Sequence, residues 1–266
     1  MTTAIITGAS SGIGKEFVRQ LKTYGTFDEV WVIARSKNNL EELKTETDLN
    51  IVPVPMDLSS EASYEEFENI LKEKNPDVRL LINCSGFGKF DATDDYPLSE
   101  SLNMIDLNCK GVTALSVLTL KYMGKGSKIV NIASVAAFQP IPYINVYAAT
   151  KAYVLYFSRA LNRELKPRGI TVTAVCPFWT KTNFFNRAAT TKEPIVKKYV
   201  AMYKPEDIVK RAYRDVKKGK DVSKYGFIAR LQAFLCKIMP HSFVMSVWMN
   251  QQKLNKKQKE EESAKN

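Results

Sequence analysis

Apolar residues gather in short runs, Thr3 to Thr7, Val30 to Ala34, Ile51 to Met56, Leu80 to Asn83, Lys128 to Ile132 and Thr171 to Cys176, with longer amphipathic stretches between them. Short runs that are apolar at successive positions read as strands buried on both faces, and the stretches between them read as the covering helices. The alternation predicts an α/β fold, a doubly wound parallel sheet of about seven strands with the last near Val222. Pro53 and Pro55 fall in the third run. Each lacks a ladder N–H, which places that strand far from the sheet centre.

Near the carboxyl terminus the pattern becomes helical. Phe227, Ile228, Leu231, Phe234, Leu235, Ile238 and Met239 recur at helical spacing, opposed by Arg230, Gln232 and Lys237, and Pro240 closes the stretch. Phe243, Val244, Val247 and Trp248 begin a second apolar face, and the chain turns polar and rich in lysine and glutamate from Asn250. Neither helix is long enough to span a bilayer. The pair fits a lid over a cleft, a contact between copies, a membrane-surface contact, or packing onto the sheet. The expected organisation is one domain over residues 1–224, a helical extension over 225–249, and a fraying tail over 250–266.

Composition narrows the class. The chain has 266 residues, 45% hydrophobic and 25% charged, which excludes disordered and fibrous classes. Cys84, Cys109, Cys176 and Cys236 form no CxxC pair and His241 is the sole histidine, so no metal site and no disulfide framework is expected. Scattered cysteines fit a reducing cytosol. Met1 leads directly into Ala4, Ile5 and Ile6 without a leader or anchor pattern, so a cytoplasmic location is expected. The net charge of +11 is uneven: residues 1–191 hold 21 Lys+Arg against 20 Asp+Glu, and residues 192–266 hold 18 against 8. A basic terminal quarter fits a solvated face, an anionic membrane or an acidic ligand, and no nucleic-acid motif accompanies it.

The candidate chemistry begins at Thr7-Gly8-Ala9-Ser10-Ser11-Gly12-Ile13-Gly14, between the first strand and a helical pattern over Lys15 to Tyr24. A strand, a glycine turn and a helix amino terminus present backbone N–H groups to a pyrophosphate, as in a Rossmann-like fold. The spacing GxxxGxG resembles the short-chain dehydrogenase/reductase family, and the family's other landmarks follow in order over residues 3 to 182. Asp57 in Met56-Asp57-Leu58, Asn83-Cys84-Ser85-Gly86, Asn108, Ser134, and Tyr147-Ala148-Ala149-Thr150-Lys151 stand where the family has its adenine-binding aspartate, NNAG, helix-kinking asparagine, catalytic serine and YxASK.

The resemblance implies carbonyl reduction or its reverse. Tyr147 would donate the proton, Ser134 would hold the substrate oxygen, Lys151 would bind the nicotinamide ribose and tune Tyr147, and Asn108 would hold a helix irregularity and a proton path. Tyr147 and Lys151 lie four apart on a helix that should start near Asn145, and an ammonium beside a phenol lowers its pKa from about 10. Cofactor contacts are implied for Gly8, Ser10, Ser11, Gly12, Ile13, Gly14, Asp57, Leu58, Asn83, Gly86, Tyr147, Lys151, Pro177, Thr180 and Thr182. Ile33-Ala34-Arg35-Ser36-Lys37 offers no carboxylate for a ribose 2′-hydroxyl, while Arg35 and Ser36 suit a 2′-phosphate, so NADP(H) is the expected cofactor. A second YxxxK, Tyr213 to Lys217, reads as a solvated helix face.

Phe178 departs from the family's Pro-Gly. With Trp179, Phe184 and Phe185 it crowds the segment that closes over substrate, which fits a flat apolar ligand. The chain resembles the branch holding hydroxysteroid dehydrogenases and 3-oxoacyl thioester reductases. A steroid or bile-acid ketone is the first expectation and a 3-oxoacyl thioester the second; a silent NADPH-binding interaction protein is the alternative of another class. Family resemblance further implies a homodimer or homotetramer through Leu102 to Met123 and Tyr147 to Lys166, where the apolar positions Leu107, Leu115, Leu118, Tyr153, Phe157 and Leu161 serve a core equally well.

Overall fold

The computed structural model describes residues 1–188 and 195–254. Seven parallel strands, β1 (Thr2–Thr7), β2 (Glu29–Ala34), β3 (Ile51–Pro55), β4 (Asp77–Asn83), β5 (Lys128–Ile132), β6 (Thr171–Val175) and β7 (Val222–Ser223), lie in the order β3-β2-β1-β4-β5-β6-β7. β3 pairs with β2 alone, with Pro53 opposite Val32, so the proline-bearing strand stands at the edge as its missing donors require.

Alternate strand residues serve opposite faces. Ala4, Ile6, Val30, Val32, Leu80 and Ile82 meet α1 (Gly12–Arg19), α2 (Leu21–Tyr24), α3 (Lys37–Glu41), α4 (Leu43–Glu46) and the later helix Pro205–Lys217 through Phe17, Leu21, Leu40, Leu43 and Val209. Ile5, Trp31, Ile33, Leu81 and Ile129 meet the other layer, α5 (Ala62–Lys74), α6 (Leu98–Ile105), α7 (Val112–Thr119) and α8 (Asn145–Leu165), through Phe67, Leu71, Leu115, Leu161 and Leu165. Leu115 and Leu161 are therefore core residues rather than contacts between copies. Tyr213 is also core: it is buried and its hydroxyl donates to the Phe17 carbonyl (2.6 Å), which corrects the solvated-face reading.

Beyond β6 lie α9 (Phe184–Ala188), α10 (Pro205–Lys217), α11 (Phe227–Ile238) and α12 (His241–Gln251). α12 closes a small separate core in which Trp248, Met249 and Leu254 pack with Phe90, Ile141, Ile144 and Ala148. The Trp248 indole donates to the Pro142 carbonyl (3.0 Å), and the Gln252 amide exchanges bonds with Lys197 and Lys198 backbone at 3.0–3.1 Å. Of residues 250–254, assigned to the tail from polarity, Gln252 and Leu254 are thus buried while Asn250 and Lys253 stay exposed; 255–266 lie outside the described residues. Among the described residues no helix is long and apolar enough to cross a membrane.

Candidate active site

The chain leaves β1 for β2 and β3 on one side and β4 for β5 on the other, so the connections leaving the carboxyl ends of β1 and β4 run in opposite directions and open a crevice. Thr7 Oγ1 ties the two sides by accepting from Cys84 N (2.9 Å) and Ser85 N (3.0 Å). Gly8, with φ +64°, adopts a backbone that L side chains avoid, and a Cβ on Gly14 would run into the Gly8 carbonyl. The turn is so close that only glycine fits, which leaves the N–H groups at the start of α1 facing the crevice. That geometry suits the pyrophosphate of a nicotinamide dinucleotide.

The crevice continues into one cavity of about 870 Å³. Its walls include Gly8, Ser10, Ser11, Gly12, Ile13 and Gly14 of the turn, Arg35 and Ser36 after β2, Asp57 and Leu58 after β3, Gly86 after β4, Ser134 after β5, Tyr147 and Lys151 on α8, and Pro177, Phe178, Trp179, Thr180, Thr182, Phe184 and Phe185 after β6. Asn83 is elsewhere. Its amide donates to Ser116 Oγ (3.1 Å) and Asn131 Oδ1 (2.8 Å) within the core, where it satisfies buried polar groups rather than facing a ligand.

Ser134 ends β5 in an extended conformation and caps a short 3₁₀ turn, Val135–Phe138, by accepting from Ala136 N (3.1 Å). Tyr147 sits in the first turn of α8 and Lys151 one turn on, with Nζ 5.7 Å from the tyrosine ring centroid. Burial pushes the Tyr147 phenol up to about 12, while a hydrogen bond with Ser134 acts in the opposite direction. Lys151 donates to the Ile132 carbonyl (2.8 Å), and burial pulls its ammonium down to about 8. The direction is opposite to the lowering expected from Lys151: desolvation outweighs the Ser134 hydrogen bond. At neutral pH the phenol holds its proton.

Asn108 lies behind the cavity, in a π-helical turn, Asp106–Gly111, that interrupts the run from α6 to α7. Its side chain donates to the Phe87 carbonyl (2.8 Å) and Thr150 Oγ1 (3.0 Å) and accepts from Phe87 N (3.1 Å). It braces the loop after β4 against α8. Burial raises the Asp57 carboxyl, but the Ser59 hydroxyl and N–H (2.7 and 3.0 Å), Arg35 and Arg187 together hold it below its ordinary range.

Residues the motifs did not single out complete the cavity. Phe90 sits at the centre of an aromatic cluster, its ring centroid 6.0 Å from Tyr147, 5.8 Å from Trp179 and Phe184, and 6.3 Å from Phe185. Arg187 stacks over the Phe87 ring at 3.4 Å. Gln139, five residues past Ser134, accepts from the Cys236 thiol (2.8 Å), which ties α11 to the loop carrying Ser134. Phe178 is accommodated by Trp179 and Tyr203, at centroid distances of 6.0 and 6.3 Å.

The short chain dehydrogenase family model matches residues 2–193. The chain belongs to the short-chain dehydrogenases. Its similarity extends past the matched region: it is 28% identical to the human very-long-chain 3-oxoacyl-CoA reductase over 94% of this chain and 79% of that protein. Among solved structures, a short-chain dehydrogenase from Sphingobium yanoikuyae in complex with NADPH superposes with TM-score 0.75 at 28% identity, covering 92% of this chain and 96% of that one. The bulky-bulky ketone specific alcohol dehydrogenase from Comamonas testosteroni gives TM-score 0.71 at 29% identity, over 92% and 94%.

In a short-chain dehydrogenase the bound nicotinamide dinucleotide supplies or accepts the hydride. What this chain would provide is position and a proton. A carbonyl oxygen set between the Ser134 and Tyr147 hydroxyls would be polarised by both, with Tyr147 as the proton donor. The phenolate left behind would keep its hydrogen bond with Ser134, with the Lys151 ammonium 5.7 Å from the ring centroid. Asn108 ties the β4 loop to α8, and Phe90 and Trp179 form apolar wall beside the Tyr147 ring.

Proposed function

We propose that the chain is an NADPH-dependent reductase of bulky apolar ketones, with the 3-oxo group of a long-chain acyl thioester as the substrate class. The observation that carries this reading is the cavity itself. Ser134 and Tyr147 stand between an end holding Arg35, with no carboxylate at the end of β2, and a chamber walled by Phe90, Trp179, Phe184, Phe185 and Trp248 that runs on to α11 and α12. Arg35 supports a 2′-phosphate as ligand by charge-assisted hydrogen bonds. The names of the human relative and of the Comamonas enzyme support a large ketone, and the Sphingobium structure supports NADPH. Ketosteroids, the first expectation from resemblance, share the apolar character of this chamber. The grouping of Ser134, Tyr147 and Lys151 in one cavity favours an enzyme over a silent binding protein.

Copies of the chain are proposed to meet through α6 to α8, where Leu102, Ile105, Val117, Tyr153 and Tyr156 remain exposed. The deciding assay follows oxidation of NADPH and NADH with 3-oxoacyl thioesters of increasing length beside a set of ketosteroids. The expected result is a preference for NADPH of about tenfold or more, and kcat/KM that rises with acyl length. Turnover with NADH alone would refute the role of Arg35, and turnover of ketosteroids without thioesters would reassign the substrate.

A further inference from the structure

α11 is built inside out. Its small residues Ala229, Ala233 and Cys236 are buried, whereas Phe227 (70% exposed), Leu231, Phe234 (58%) and Ile238 (61%) form a stripe in solvent. A helix that packs by burying its large side chains does the reverse. The sequence expectation of core packing is thus met by α12, through Trp248 and Met249, and not by α11. Phe243 and Val247 of α12 are half exposed as well, so two consecutive helices share one apolar surface.

This surface rims the cavity. Ile228, Leu231, Leu235, Phe243 and Val247 are exposed and also line the interior, while Phe227, Phe234 and Ile238 only face outward. Charge on the described part of this segment has one sign: residues 222–254 hold Lys224, Arg230, Lys237 and Lys253 and no Asp or Glu. Arg230 and Lys237 are exposed on α11 itself, one helical step beyond Phe227 and Phe234.

We infer that α11 and α12 form a docking surface for an anionic lipid membrane, lying in the plane of the headgroups with the cavity mouth turned toward the acyl chains. Phe227, Phe234 and Ile238 would enter the apolar layer while Arg230 and Lys237 reach back to lipid phosphates, the arrangement of an interfacial helix. A second copy is the poorer occupant, because a two-fold contact would set these cations against themselves with no acid to pair them. The surface stands on the two helices alone. Delivery of an apolar ketone through it rests on the proposed function.

The test is flotation of the full chain with vesicles of phosphatidylcholine, with and without phosphatidylserine, at low and high salt. The expected result is binding to the anionic vesicles that weakens with salt, and a loss of about tenfold or more in the double variant Phe234→Glu/Ile238→Glu, with unchanged melting and unchanged turnover of a short water-soluble ketone. Arg230→Glu/Lys237→Glu leaves the apolar stripe intact and should lose the preference for anionic vesicles. Flotation of the wild type with neither vesicle would overturn the inference. So would sedimentation as a dimer that the Phe234→Glu/Ile238→Glu variant turns into monomer, which would give the face to a second copy. Neither readout depends on which ketone is reduced.

Discussion

At the β1–β4 end of the cavity the walls are largely backbone: a glycine turn, the first N–H groups of a helix, and strand ends tied through Thr7. At the α11–α12 end they are side chains, aromatic rings 5 to 6.5 Å apart and aliphatic groups open to solvent. The first kind of wall holds its shape whatever is bound, because shifting it means breaking hydrogen bonds in the sheet. The second can repack by rotamer, at a small loss per contact. One end suits a ligand that never changes and the other a ligand that varies.

The comparison breaks most sharply at Gly14. A Cβ there has no space against the Gly8 carbonyl, so Gly14→Ala should abolish nucleotide binding measured by calorimetry and lower stability by about 4 kcal/mol or more, the range of backbone clashes in a packed site. A variant that binds normally would show that the turn is softer than its geometry. Trp248→Ala removes the anchor of α12 and should lose about 3 to 5 kcal/mol of stability while nucleotide affinity stays near wild type. Coupled loss of both would mean that the two ends are not separable. Tyr147→Phe, at their junction, should reduce kcat by roughly 10² or more with nucleotide affinity unaltered.

The smallest effect concerns Lys151, and it depends on pH. Burial lowers its pKa in the folded chain to about 8 from 10.5, so between these values the folded state holds fewer protons than the unfolded one and stability rises with pH. The penalty of the buried charge is fully present below pH 8. Lys151→Met should therefore melt a few degrees higher than wild type at pH 7, with the difference shrinking from pH 8 toward 10.5. A gap independent of pH would assign the effect to packing.

The strand positions and the outlying place of β3 were legible because they depend on local pattern, apolar runs and two prolines, and Tyr147 and Lys151 could be set on one helix face from their spacing alone. The π-helical turn at Asn108 likewise stands where the resemblance placed an irregularity. Asn83 was misplaced, since a motif position says nothing about which way a side chain turns, and here Ser116 and Asn131 supply partners from sequence-distant elements. The Tyr147 phenol was read from its neighbour four residues away, but its titration is governed by how deeply the chain buries it. α11 was ambiguous for a related reason: helical spacing shows that a stripe exists, whereas the orientation of that stripe is set by Gln139 and the 3₁₀ turn that Ala229, Ala233 and Cys236 pack against.

Both borders of the sheet are poor templates for another strand. β3 carries Pro53 and Pro55, and β7 is two residues long, so neither presents a row of free amides that a neighbouring molecule could zip onto. Fibre-like growth by strand addition is blocked at each end of the array. Partially opened molecules would therefore offer few strand edges from which to seed ordered aggregates.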